Sequence, residues 1–154
     1  MNCVFEDWYI YLPLLENCNK LVTVADKMYH YRQRMNSIVN SKVFDERYLD
    51  IIDFSKKRYQ YIKENHPKLS DIAKDDVLRT YITVAEKISL SANASEYKSV
   101  LEKTQSKLRS EIFFVLFSKN YSNVSKIKIL VLVFNSKLYK FILKTRRRKR
   151  VPFD

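Results

Sequence analysis

The sequence contains no glycine at all. Average usage of about 7% would place roughly ten in a chain of this length, so the deficit bears on the whole organisation of the chain. Phosphate-cradling loops, nucleotide crevices and tight strand-to-helix turns use glycine where the backbone takes positive φ or must approach a ligand closely. A complete nucleotide-binding fold is therefore not expected. Cysteine is also scarce: Cys3 and Cys18 form no CxxC pair and have no metal-ligand spacing to His30 or His66, which argues against a zinc site or a disulfide framework. Two reduced, buried thiols of a cytosolic protein are expected instead. Long apolar runs are missing too. The run at 129–134 falls far below the roughly 20 residues that span a bilayer. The N-terminus carries Glu6 and Asp7 rather than a basic stretch followed by an apolar one, so neither a membrane crossing nor a secretory leader is expected.

What is present is 154 residues with 46% hydrophobic content, enough for one domain with a single core plus a tail. Charge is unevenly placed. Residues 119–154 hold eleven of the 29 Lys and Arg and one of the 17 acidic residues, and so carry +10 of the net +12. The basicity belongs to the tail.

Periodicity predicts a mainly helical chain. Phe5, Trp8, Leu12 and Leu15 share one stripe, which with Glu6 and Asp7 in the first turn predicts a helix over 5–17, kinked or stopped early by Pro13. Residues 20–25 are rich in β-branched types and 28–34 alternate in type, predicting two short strands. In the second, Tyr29, Tyr31 and Gln33 would share one face, and His30, Arg32 and Arg34 the other. Because an isolated hairpin is only marginally stable, more sheet or a helix is expected to cover it. Tyr48, Ile52, Tyr59 and Ile62 mark a helix over 46–65, capped by Asp45 and ended by His66-Pro67. A third is capped by Ser70, with Leu78, Tyr81, Ile82, Ala85 and Ile88 on its apolar face, and breaks at 91–95. A fourth runs from Glu96 through Val100, Leu101 and Leu108 and becomes apolar all round at 112–117, which implies burial or contact with lipid or a partner. After an interruption at 120–123, a last periodic segment starts at Ser125, continues past Asn135-Ser136 and closes in the basic block Lys144, Arg146, Arg147, Arg148, Lys149 and Arg150. An apolar helix followed by such a block describes an interfacial anchor.

Glu6-Asp7-Trp8-Tyr9 followed by Tyr29-His30-Tyr31-Arg32, with Arg34 and Ser37 behind, resembles the second half of bacterial family 2 glycosyltransferases. The resemblance implies that Asp7 is the general base for an acceptor hydroxyl, with Glu6 beside it, in an inverting transfer from a nucleotide sugar. Trp8 and Tyr9 would shape the sugar platform, and His30, Arg32 and Arg34 would lie near the donor diphosphate. Residues 1–40 then correspond to the acceptor-side remnant of an α/β catalytic domain, 41–120 to a helical extension, and 121–154 to an amphipathic helix and basic tail pressed on the membrane. The motif-like part is confined to the first 37 residues. The departure from the family is large: its nucleotide-binding domain and DxD metal motif have no counterpart, since no D-x-D triplet occurs.

The expectation is therefore the C-terminal part of an inverting glycosyltransferase of surface polysaccharide synthesis, inactive alone, with the remainder encoded upstream. It implies nucleotide sugar and a glycan or lipid-linked acceptor as partners only once the other half is supplied. No cofactor is expected in this chain, although Mg or Mn would serve the complete enzyme. The tail is expected on an anionic membrane surface at the cytoplasmic face rather than on nucleic acid, because long apolar residues are interleaved with its charges. The rival reading is a non-catalytic helical module that binds membrane, a partner or RNA through its basic C-terminus.

Overall fold

A computed structural model describes residues 7–30 and 41–148, with side chains over 10–30 and 41–143. The first helix, α1, spans Asp7–Glu16 and carries Pro13 within it. It runs less than one turn beyond that proline. The Asn17 amide and side-chain nitrogen both donate to the Pro13 carbonyl, at 3.2 and 2.8 Å, and close the end. The helix thus passes through Pro13 and ends one residue short of the predicted Asn17; the predicted first two residues lie outside the described part.

The predicted strands are a correction. Residues 20–30 form irregular backbone, and no strand occurs among the described residues. Residues 31–34, which include Arg32 and Arg34, lie outside them. Leu21, Val22, Val24, Met28 and Tyr29 are each more than 60% exposed. Strand-forming side chains pay off only against a neighbouring strand or a covering helix, and no described element supplies one. Cys18 is exposed as well, contrary to the expected burial.

The compact part begins at Phe44 and Asp45. Asp45 accepts from the Arg47 amide at 3.0 Å and caps a 3-10 turn, Glu46–Leu49, that leads into α2, Asp50–Asn65. His66-Pro67 ends α2 as predicted, but Ser70 does not cap α3, Ser70–Leu90. Pro67 starts a 3-10 turn that brings the chain to Ser70 already in helical geometry. The predicted fourth helix splits at Glu111 into α4, Lys98–Ser110, and α5, Ile112–Phe117. That break turns Val115 inward and leaves Phe113 and Phe117 exposed, so the all-apolar run is only partly buried.

The last segment also divides. Ser122 accepts from the Ser125 amide and caps α6, Asn123–Phe134. Asn135 leaves helical geometry, and its side chain accepts from the Leu138 amide at 2.9 Å to cap α7, Ser136–Arg148. One long helix was expected because the apolar period continues through this point. A capping Asn outside helical geometry outweighs that continuity and lets α7 turn back onto α3.

α3 is the central helix, in contact with α2, α4, α6 and α7. Its predicted face is the observed one: Leu78, Ala85 and Ile88 are buried, and Tyr81 and Ile82 pack against the same cluster. Leu101 and Leu108 come from α4, Val115 from α5, Ile129, Leu132 and Val133 from α6, and Tyr139 from α7. One core thus joins the residues before 120 to those after it. Polar clamps fix the arrangement. Gln105 Nε2 donates to the Leu132 carbonyl at 2.7 Å and Arg109 to the Val133 carbonyl at 3.1 Å, which satisfies the carbonyl end of α6. Arg79 bonds the buried Asp75 at 2.9 Å and the Asn120 carbonyl at 3.0 Å while lying 4.6 Å from the Tyr121 ring. Burial and the neighbouring Asp75 push the Tyr121 phenol far up.

Candidate functional site

The backbone of Asp7, Trp8 and Tyr9 lies in the first turn of α1. Their side chains lie outside the described part, as do Glu6, Arg32, Arg34, Lys149 and Arg150. His30 is exposed at the end of the irregular segment, so the strand face meant to hold it is not formed there. The described residues therefore place the backbone of the candidate base at a helix start, and most of the predicted constellation lies outside them.

What they do assemble is a seam between α1 and α2. Leu12 and Pro13 on one side, and Phe54, Lys57, Arg58 and Tyr61 on the other, line a cleft of about 280 Å³. At its end, Glu16 accepts from the Tyr61 hydroxyl and bonds His66 Nε2 at 2.6 Å. Arg58 pairs with Asp76 and so links the same helix to α3. Sequence reasoning passed over Phe54, Lys57, Arg58 and Tyr61. Their spacing at i, i+3, i+4 and i+7 marks one helix face, but their role as a wall depends on where α1 docks.

The Tyr61 hydrogen bond, then the His66 one, holds the Glu16 carboxyl below its ordinary 4.5. A carboxylate with a lowered folded value contributes fully above that ordinary value, and the contribution fades as pH falls through the lowered one. Acidification, or Glu16→Gln at neutral pH, is therefore expected to loosen α1 from α2. Hydrogen exchange should quicken in α1 while α3 and α4 keep their protection; unchanged exchange in α1 would remove the latch.

At the other end of the chain, α6 and α7 present two faces. Ile129, Leu132, Val133 and Tyr139 point into the core, whereas Val124, Ile127, Phe134, Leu138 and Phe141 are exposed. The outer residues lie in the most basic part of the sequence, and the backbone of Lys144, Arg146, Arg147 and Arg148 continues α7 beyond them. No helix among the described residues is long and apolar enough to cross a membrane. No group of three or more His, Cys, Asp or Glu among them is placed to hold a metal ion.

Comparison with protein-family models, with curated proteins and with solved structures gives no match for this chain.

Proposed function

We propose that this chain is the C-terminal part of an inverting family 2 glycosyltransferase. It would act on a glycan or lipid-linked acceptor in surface polysaccharide synthesis, and only in company with a donor-binding α/β half. The observation that carries the reading is the open segment 20–30. It follows the first motif and runs into the second, is rich in strand-forming residues, and leaves five large apolar side chains exposed. A sheet contributed by a donor-binding half would cover them. The Glu6-Asp7 and Tyr29-His30-Tyr31-Arg32 motifs, and a helical extension beginning soon after them, agree with the same reading.

In this reading Asp7 accepts the proton of the acceptor hydroxyl as the oxygen attacks the sugar, and the amide groups at the start of α1 favour its ionised form. Trp8 and Tyr9 flank the acceptor, while His30, Arg32 and Arg34 receive the negative charge that grows on the leaving diphosphate. α6 and α7 rest on an anionic membrane surface, where the outer apolar residues enter the interface and the lysines and arginines meet the headgroups.

The test is to join the chain to a glycine-containing α/β half that carries a DxD motif, sought in the sequence upstream of Met1. Transfer from a nucleotide sugar is expected from the joined protein and not from this chain alone. Amides over 20–30 should gain protection from hydrogen exchange on joining. Transfer by the isolated chain, or an open 20–30 segment in the joined protein, would overturn the reading.

A further inference from the structure

Away from both regions, Lys56 of α2, Lys74 of α3 and Lys107 of α4 converge on one pocket of about 290 Å³, at the small end of the range for small-molecule sites. Val77 and Leu78, both buried, form its floor; Tyr59 and Tyr81 flank it, and Glu111 stands at the junction of α4 and α5. Three cations from three different helices differ from the solvated charge stripe of a single helix, because the fold itself brings them together.

The lining carries three ammonium groups and one carboxylate. Glu111 bonds Lys74 at 2.9 Å and Lys107 at 3.1 Å. Lys74, and after it Lys107, holds the Glu111 carboxyl below the ordinary range against the opposing effect of burial. Lys56 approaches from the α2 side, 5.9 Å from the centre of the Tyr81 ring, and its ion pair is with the exposed Asp53 at 3.4 Å. A bare inorganic ion would need the lysines alone. The apolar floor and the two phenol rings add surface on which the C–H face of a ring can pack.

We propose that this pocket binds a small six-membered ring compound bearing one phosphate or carboxylate, such as an acidic sugar. Lys56 and Lys107 receive the acid group, and the ring lies against Tyr59 and Tyr81. Glu111 is then an internal competitor, an anion of the chain itself that holds two of the lysines when the pocket has no ligand. The proposal does not depend on the chain taking part in sugar transfer, since every residue it uses lies in the helical core region.

The test uses the full chain at low salt, titrated with glucose 1-phosphate, with glucuronate and with neutral glucose, and followed by calorimetry and by the NMR signals of the tyrosine rings. At least one acid is expected to bind and to shift Tyr59 and Tyr81, and glucose to do neither; the tighter acid identifies the preferred group. Lys56→Ala with Lys107→Ala should weaken binding by about tenfold or more, whereas Lys98→Ala with Lys103→Ala, an equal loss of charge elsewhere, should leave it unchanged. Glu111→Gln should tighten binding severalfold, an increase that a merely structural role would not give. Lack of binding by both acids, equal binding of glucose, or equal weakening by the two double variants would overturn the proposal.

Discussion

Leu132→Ala is expected to lower the unfolding free energy by about 2–5 kcal/mol, read as a shift of the urea midpoint at constant slope. Leu132 is fully buried. It belongs to the same cluster as Leu78 of α3 and Leu108 of α4, so alanine leaves a cavity where three helices meet. Removing 124–150 goes further. It strips Ile129, Leu132, Val133 and Tyr139 from the core at once, and it takes away the carbonyls that Gln105 and Arg109 bond. Loss of cooperative unfolding is expected from that deletion, and an unchanged midpoint would refute the shared core.

The same geometry decides how the proposed membrane contact must be tested. A deletion would confound unfolding with loss of the exposed apolar face, whereas Ile127→Glu with Phe134→Glu alters only exposed positions. Stability should then stay within about 0.5 kcal/mol for each surface change, while binding to vesicles rich in anionic lipid falls by more than about tenfold. Vesicle binding that survives this pair would detach the outer face of α6 from lipid.

On the proposed function, Asp7→Asn in the joined protein is expected to reduce turnover by about 10²–10⁴-fold, the usual contribution of a positioned acid or base. Asparagine keeps the size of the side chain and its place in the first turn of α1, but its amide does not accept the hydroxyl proton. The loss should fall on kcat more than on KM, because proton transfer belongs to the transition state. Glu6→Gln should lose much less, since the neighbouring carboxylate is not assigned the proton. Full turnover in the Asp7→Asn protein would remove Asp7 from the base role.

Much of the fold was legible because periodicity and caps are local. The face of α3 at Leu78, Ala85 and Ile88 follows from 3.6-residue spacing, and Asp45 and His66-Pro67 mark the ends of their helical stretch by chemistry that acts within a few residues. Ser70 misled because the preceding 3-10 turn had already set the backbone. The segment 20–30 misled because strand propensity expresses a fit to neighbours rather than a backbone preference. Of the candidate site, the sequence offered Asp7 and its helix start; the wall formed by Phe54, Arg58 and Tyr61 was legible as a face but not as a partner of α1.

By itself the sequence determined a helical chain without glycine, with its positive charge gathered at one end and the acidic pair Glu6-Asp7 near the other. These properties depend on composition and near-neighbour spacing. Tertiary structure alone decided that α6 and α7 complete the core while exposing a second apolar face, and that Lys56, Lys74 and Lys107 meet around one pocket. Residues separated by 18 or more positions are brought together by the packing of α3 against its neighbours, and no local pattern in the chain records which helix faces will meet there.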